Sequence, residues 1–596
     1  MSDFIYSSKN ISPSNLTSAL SHIYAVWNIP CYTFNGVWGA IAATNNHYHG
    51  FNPYETDRHI LIVAGGPLLR FTSEDKYSAD NAATKLIYER WIHQGNIKWD
   101  DDLSGSFAII LIDKHTKSIT IVTDILSSIP VYFHESHPSS GIIDTIGTHA
   151  DSVASASGAT DNLDPTSLAD LLFNRTIVFP YTPYYNIFQF PPAQQIIVDR
   201  NKSVSVEKVT YWEPAESSPF SSVNEAAEEV RYKLEEEVKL ISNGTDHVAV
   251  LLSGGEDSRT ILGILSDETD VTGITIAGSE NLETYLASLT AQAYHTNIEV
   301  LQRPIEQFID FLEHRSLIVG MQHEFIHTHT YGVIEKNGIN HYDAVIGGYL
   351  ADTYLKGDIL PAHYKIAGIK LSINNNALEP GNCIQLHKLA DYTNQFILAN
   401  LTQRYEEQKQ RLSEIRPHTY REWMWIYPMT MRKSAGHFFS NRRLFCTYEP
   451  FMGSDIIKLS AVIPQRWKTN RKLFQRAVHP FLSPSWYIPH VMGHLPYFKS
   501  LPNVVPRLLF RLPLELQHLL GLRSRNEHLL TPDWESLNNY AGLHNKWEQY
   551  KDLTGNYVSD IFKNVDIVEN NNLPLITKLS LMQIAANISH FHNTHP

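Results

Sequence analysis

Cysteine is scarce in this 596-residue chain: only Cys31, Cys383 and Cys446 occur, too few for a disulfide framework. Long apolar runs are missing as well, with no stretch of about 18 residues able to span a bilayer. The opening MSDFIYSSKNISPSNL lacks the basic start and apolar core of a secretory signal. These absences predict a protein of a reducing cytoplasm that is not inserted in a membrane. Positive charge is in deficit: 48 Lys and Arg face 62 Asp and Glu, a formal net charge of -14 with a sequence pI of about 6.1. Broad binding to nucleic acid therefore has no electrostatic support, although a local basic patch could hold a polyphosphate. Repeats and low-complexity tracts are absent. What remains is an ordinary globular composition, 43% hydrophobic and 18% charged, in a chain long enough for two or more domains.

From Tyr32 to about Trp212 short apolar or alternating runs separated by turn residues predict strands: GVWGAIAA, HILIVAGG, SFAIILID, KSITIVTDI, VYFHES and QQIIVDR. At Ser222 the character changes. Ser222 and Glu225 stand in capping-box spacing, and Ala226, Val230, Leu234, Val238 and Ile241 follow at helical intervals. VAVLL, VTGITIAG, IEVLQ and DAVIGG then alternate with helical patterns, the signature of a parallel α/β sheet. After about Gly357 the pattern predicts mostly helix, through FILANLTQRYEEQKQRLSEI and DIIKLSAVI.

The stretch VLLSGGEDSRTILGIL, 250–265, runs from strand through two glycines into a helix. Such a turn brings backbone N–H groups and a helix N-terminus to an anion, and phosphate is the natural guest. It is not a Walker A loop, because the GK[ST] ending is absent; Asp257 could instead bridge a metal while Ser253 and Ser258 donate hydroxyl hydrogen bonds. A plain strand-to-helix turn built of small residues is the alternative.

SGGEDS matches the SGGxDS motif of the PP-loop ATP pyrophosphatases, and its surroundings resemble the asparagine synthetase branch. LSGSFAIILIDKHTKSITIVTDILSSIPVYF is similar to that branch's glutaminase-type domain, and TPYYNIFQFPPAQQIIVD with YWEP to its link into the synthetase domain. IGGYLADTYLKG, 346–357, resembles the second motif, with Asp352 as the metal-sharing aspartate. RKLFQRAV, 471–478, resembles the late K-x-x-x-R helix, with Lys472 facing phosphates and Arg476 following. The resemblance implies an α+β, β-rich sandwich of the Ntn-hydrolase type over 35–212. A PP-loop synthetase domain with a helical C-terminal part would follow over 213–596. It further implies ATP and Mg2+ as cofactors, Leu252, Ser253, Gly254, Gly255, Asp257, Ser258, Ile276, Gly347, Gly348 and Arg476 around the nucleotide, and Asp257 and Asp352 on the metal. In such enzymes a carboxylate is adenylated and an amine displaces AMP to form an amide.

Departures narrow the expectation. If GVWGAIAA is the family's first strand, residues 1–34 form an extension and the cysteine nucleophile of glutamine hydrolysis is replaced by Asn35, which cannot do that work. The amine should then belong to the substrate, as in the β-lactam synthetases and lasso peptide cyclases that the branch includes; a precursor peptide and a protease would be partners of the latter. Tyr349 stands where β-lactam synthetases carry a tyrosine that helps deprotonate the amine. A phenol needs its pKa of about 10 lowered for that, and Glu422 is a candidate relay; a core aromatic is the alternative. CTYEPFMG has Tyr448 at the family's arginine position and Gly453 at its aspartate position, pointing away from free aspartate as substrate.

Three other readings compete. HEFIH, 323–327, fits the HExxH zinc pattern on a helix, but no third ligand is placed by any spacing, and His327, Thr328 and His329 could border the substrate site instead. A tRNA-modifying PP-loop enzyme is opposed by the acidic charge. A catalytically empty scaffold is opposed by an intact phosphate loop. A glutamine- or ammonia-dependent amidotransferase acting on aspartate or a sugar acid remains the alternative to an intramolecular ligase.

Overall fold

Two six-stranded antiparallel sheets build the N-terminal part of the chain. One has the order Ile187–Gln189, Tyr132–Glu135, Ile143–Gly147, Phe4–Ser7, Gly39–Thr44, Cys31–Gly36; the other runs Val206–Thr210, Gln194–Asp199, Ser118–Thr123, Phe107–Asp113, His59–Gly65, Tyr54–Glu55. Side-chain alternation decides their stacking. Phe4, Tyr6, Ile41, Ile60, Ile62, Ile110 and Ile112 share one core between the sheets, while Ile5, Ala42, Leu61, Val63, Ile109 and Leu111 turn into a second core on the outer faces. Burial on both faces explains why HILIVAGG and FAIILID read as continuous apolar runs rather than alternating ones.

This computed structural model describes residues 2–9, 11–24, 29–72, 80–136, 141–199, 206–265, 270–333, 338–360, 362–366, 369–373, 393–499, 512, 534–562 and 573–594. The described residues of 1–34, a stretch expected as an extension before the first strand, are instead part of the sandwich. Phe4–Ser7 lies between Ile143–Gly147 and Gly39–Thr44, and the Pro13–Ser21 helix packs on the latter. Gly39–Thr44 is therefore not the first strand, and Asn35 sits on the edge strand Cys31–Gly36. Four residues, FIYS, carry too short a pattern to announce a central strand.

The second half is α/β. Its sheet has the order Asn297–Gln302, Val271–Ala277, Val248–Leu251, Ala344–Ile346, Thr447–Tyr448, with every pair parallel. The helix Val223–Ser242 leads into it; Ser222 Oγ accepts from the Glu225 amide, and the five apolar residues at helical spacing are all buried. The Glu225 carboxylate reaches Ser221 rather than closing the box on Ser222. Chain order reverses at Val248–Leu251, whose neighbours are Val271–Ala277 on one side and Ala344–Ile346 on the other. Such a switch point opens a crevice at the C-terminal ends of the strands, where ligands bind in doubly wound sheets. Beyond Gly357 the described residues are mostly helical from Gln395–Ile415 onward, broken by the strand Thr447–Tyr448, and an antiparallel hairpin, Ala362–Ile366 with Ile369–Ile373, stands before them where helix was expected. No helix among the described residues is long and apolar enough to cross a membrane.

One buried carboxylate ties the halves together. Asp3 accepts from Arg442 Nη2 at 3.0 Å, Arg443 Nε at 2.9 Å and the Tyr24 hydroxyl at 2.5 Å. Burial alone would raise its pKa, but the two guanidinium charges outweigh burial and hold it far below the usual carboxylate range. Asp3→Asn strands two buried cations and is expected to cost about 3–5 kcal/mol, read as a lowered thermal midpoint. The wild-type contribution is complete above the unfolded-state value near pH 4 and is lost as pH falls below it, so the midpoints of the two proteins should converge in acid. Equal midpoints at pH 7 would refute this role.

Candidate functional site

The crevice at the switch point is lined by two glycine turns. After Val248–Leu251, Ser253 Oγ accepts from the Gly255 amide at 3.1 Å and the Ser253 amide donates to Ser258 Oγ at 3.2 Å, folding the loop onto the start of the Glu256–Leu265 helix. Thr275 Oγ1 donates to the Leu252 carbonyl at 2.8 Å, fixing the loop to the next strand, whose half-buried Ile276 stands at the same edge. Arg259, fully buried, clamps the loop from behind through the Gly254, Ile488 and Pro489 carbonyls.

The second turn follows Ala344–Ile346. A Cβ on Gly348 would stand 2.9 Å from Asp257 Cβ, and one on Gly347 would stand 2.3 Å from Glu449 Oε1. Only glycine lets the two turns approach this closely. Leu350 takes a left-handed φ of 68°, turning the chain into the Ala351–Tyr354 helix that carries Asp352.

Charge converges between the turns. Lys356 Nζ lies 2.7 Å from Asp257 Oδ1, 2.5 Å from Asp352 Oδ1 and 3.2 Å from Glu256 Oε1. Glu256 also takes Arg471 Nε at 2.6 Å. Burial would raise Glu256, but Arg471 and Lys356 outweigh it and hold its carboxyl below the ordinary range. Burial pushes Asp257 upward while Lys356 opposes, and the 2.7 Å contact is that of an ion pair. Asp352 is 60% exposed.

The structure does not bring Lys472 or Arg476 to this cluster. Lys472 is exposed at the start of the Lys472–Val478 helix, and Arg476 turns away to Asn224 Oδ1 at 3.0 Å and the Lys472 carbonyl. Lys356 and Arg471 stand at the acids instead. Lys356 could have been found from its position four residues after Asp352, and Arg471 from lying one residue before the expected lysine.

Tyr349 is present at the crevice but is not activated. Its hydroxyl lies 3.2 Å from Ser434 Oγ, its ring centroid is 5.5 Å from that of His437, and burial pushes the phenol up to about 12. Glu422 is no relay: its carboxylate is buried against Lys468 Nζ at 2.6 Å and Gln465 Nε2 at 3.2 Å. The carboxyl near Tyr349 is Glu449, which no sequence pattern marked. Its Oε2 accepts from the Tyr349 amide at 2.8 Å, its Oε1 has no hydrogen-bond partner among the described residues, and burial pushes it up to about 8.

HEFIH forms no metal helix. Phe325–His327 is a 3-10 turn, the buried His323 ring stacks on Phe439 at 4.3 Å, and Glu324 takes Arg175 Nε at 2.8 Å. Thr328 is bound to Arg315, whereas His329 lies 5.7 Å from His437, which links it to the Tyr349 side. Among the described residues no group of three or more His, Cys, Asp or Glu could hold a metal by itself. Asp257 and Asp352 nevertheless converge on one cation, the Lys356 ammonium, so their donor set suits a hard cation whose remaining ligands come from phosphate.

Sequence comparison agrees with this geometry. Residues 71–212 match the glutamine amidotransferase domain family and residues 229–486 the asparagine synthase family. The segment that carries the crevice is thus similar to the asparagine synthases, and the segment before it to the glutamine amidotransferase domains. A relative in Methanocaldococcus jannaschii, "Putative asparagine synthetase (glutamine-hydrolyzing) 2", is 32% identical over 88 residues, 15% of this chain; the match spans only 17% of that protein's length. Both glycine turns and both aspartates of this chain fall inside the 229–486 match.

Gly348→Ala forces Asp257 and the second turn apart. It is expected to weaken binding of a fluorescent ATP analogue at least tenfold with an unchanged far-ultraviolet circular dichroism spectrum; unchanged affinity would show that the close approach is not needed for the nucleotide.

Proposed function

We propose that the protein is an ATP-dependent, AMP-forming carbon-nitrogen ligase that joins a carboxylate to an amine carried by the substrate itself, of the lasso peptide cyclase or β-lactam synthetase type. The observation that carries the reading is the pair of glycine turns that bring Asp257 and Asp352 to one cation at the switch point. When bound, Mg·ATP supplies the adenylyl group that activates the carboxylate and loses pyrophosphate. Ser253, Ser258 and the amides of the loop hold the phosphates, Asp257 and Asp352 would hold the metal, and Arg259 keeps the loop in shape.

The amine must lose a proton. Tyr349 is a poor acceptor at about 12, and burial lowers His437 to about 4, leaving a neutral ring that hydrogen-bonds with Asn441. Glu449, at about 8 and with one oxygen free, is the group suited to take the proton near neutral pH.

The amine is assigned to the substrate because neither described cysteine is a poised thiolate. Burial raises the Cys31 thiol, and that of Cys446 is pushed up to about 12 with its Sγ against the His47 carbonyl; Cys383 lies outside the described residues. The competing reading, a glutamine-hydrolysing amidotransferase, draws on the 71–212 match. Tyr448 at the family's arginine position and Gly453 at its aspartate position favour a peptide or amino-acid derivative over free aspartate.

The deciding assay is ATP-dependent pyrophosphate release against aspartate, glutamine plus aspartate, ammonia and candidate peptides. Release with a peptide or amino-acid derivative, reduced about 100-fold or more in Asp257→Ala, is expected; aspartate-dependent release with glutamine consumption would overturn the reading. Glu449→Gln should keep ATP–pyrophosphate exchange but lose amide product. Wild-type amide formation should rise with pH as Glu449 deprotonates through about 8, a limb the variant lacks; a variant with an unchanged pH profile would remove Glu449 from this role.

A further inference from the structure

We propose that Lys356 is a built-in counter-ion of the crevice: its ammonium fills the place between Asp257 and Asp352 while nucleotide is absent, so the site takes up a divalent cation only together with ATP. The inference rests on the reading that the crevice binds Mg·ATP.

Three observations carry it. The ammonium is only 8% exposed and makes close contact with both aspartates, while its backbone is fixed by the Lys356 amide donating to the Ala351 carbonyl at 3.2 Å. Its Nζ also lies 4.9 Å from the centroid of the Phe474 ring, a second cation-stabilising contact. Glu256, the third acid, is engaged by Arg471 and is not available as a free ligand. Two carboxylates are therefore all that the described residues offer a metal. A magnesium ion demands six oxygens and normally completes its shell with water and substrate phosphate.

A free divalent ion must displace an ammonium already paired with both ligands, and receives only two carboxylates in return. A nucleotide changes both sides of that exchange. Its phosphates supply further oxygens to the metal and give the displaced ammonium new anionic partners. Metal and nucleotide thus favour one another's binding, and the coupling is reciprocal. Lys356 sets the order of loading without itself being a metal ligand.

The test measures Mn2+ binding to the full chain by electron paramagnetic resonance of the free ion, with and without α,β-methylene-ATP, whose P–CH2–P bridge cannot break to transfer the adenylyl group to a carboxylate. Wild type is expected to bind Mn2+ at least tenfold more tightly with the analogue. Lys356→Gln should bind Mn2+ at least tenfold more tightly than wild type without nucleotide, a gain lost again in the Lys356→Gln/Asp257→Asn double variant. A folded Lys356→Gln protein that gains nothing would overturn the proposal. Should that variant not fold, wild type binding Mn2+ equally well with and without the analogue would overturn it as well. Failure of wild type to bind the analogue would instead sink the ATP reading, and a nucleotide-free gain in Lys356→Gln would still support the lysine's role.

Discussion

The buried carboxylate of Asp3 is the constraint on which the arrangement of the two halves depends. Its oxygens are held by Arg442, Arg443, Tyr24 and Thr148, and Arg443 continues to the Ile318 and Thr148 carbonyls. The central strand of the sandwich, the turn at Tyr24 and two helices of the synthetase half thus share one ion network. The helix Gly436–Leu444 that carries both arginines also carries His437 near its other end, next to Ser434 and facing Tyr349. Desolvating these charges is costly and adds little net stability over a packed apolar contact, but it admits only one registration of the halves. Through that helix the sandwich positions one wall of the crevice.

Cations in the synthetase half are distributed by backbone geometry rather than by sequence proximity. The run RWKTNRKLFQR contains five of them within eleven residues. Lys468 is buried on Glu422 and Arg471 on Glu256, while Lys472 faces solvent. Asn470 and Arg471 both take left-handed φ values, 57° and 58°, so the chain changes direction immediately before the Lys472–Val478 helix. That helix then turns Leu473, Phe474 and Ala477 inward and leaves its first residue outside. A regular helix through the run would have given Lys468 and Lys472 one face; the turn separates them.

What could be read from the sequence follows the range over which each feature is built. The Ser253 loop, the capped Val223–Ser242 helix and the parallel strands are local patterns in glycine, hydroxyl and apolar residues, and all are found where the sequence put them. The second turn was equally local. The first strand escaped notice because four residues inside a Ser- and Asn-rich segment carry no periodicity that identifies a central position. Glu449 escaped for another reason: it meets Tyr349 across 100 positions of chain, and although Lys356 stands four residues after Asp352, its contact with Asp257 spans 99. Such pairings are properties of the sheet order, which places Ala344–Ile346 between Val248–Leu251 and Thr447–Tyr448.

The sheet order also divides the crevice electrically. On the side of Val248–Leu251 stand Asp257, Glu256, Lys356 and Arg471, a set of opposed full charges that a polyanion and its metal can rearrange without creating an unpaired ion. On the side of Thr447–Tyr448 stand Tyr349, Ser434, His437 and Glu449, whose pKa values, where burial shifts them, all move toward the neutral form. On the proposed function, such a wall would leave an incoming amine without a strong counter-charge that holds it as an unreactive ammonium, while Glu449 would be the group to accept its proton. On the proposed function, phosphate and amine chemistry would occupy opposite walls, with Gly347 against Glu449 and Gly348 against Asp257 as the seam between them.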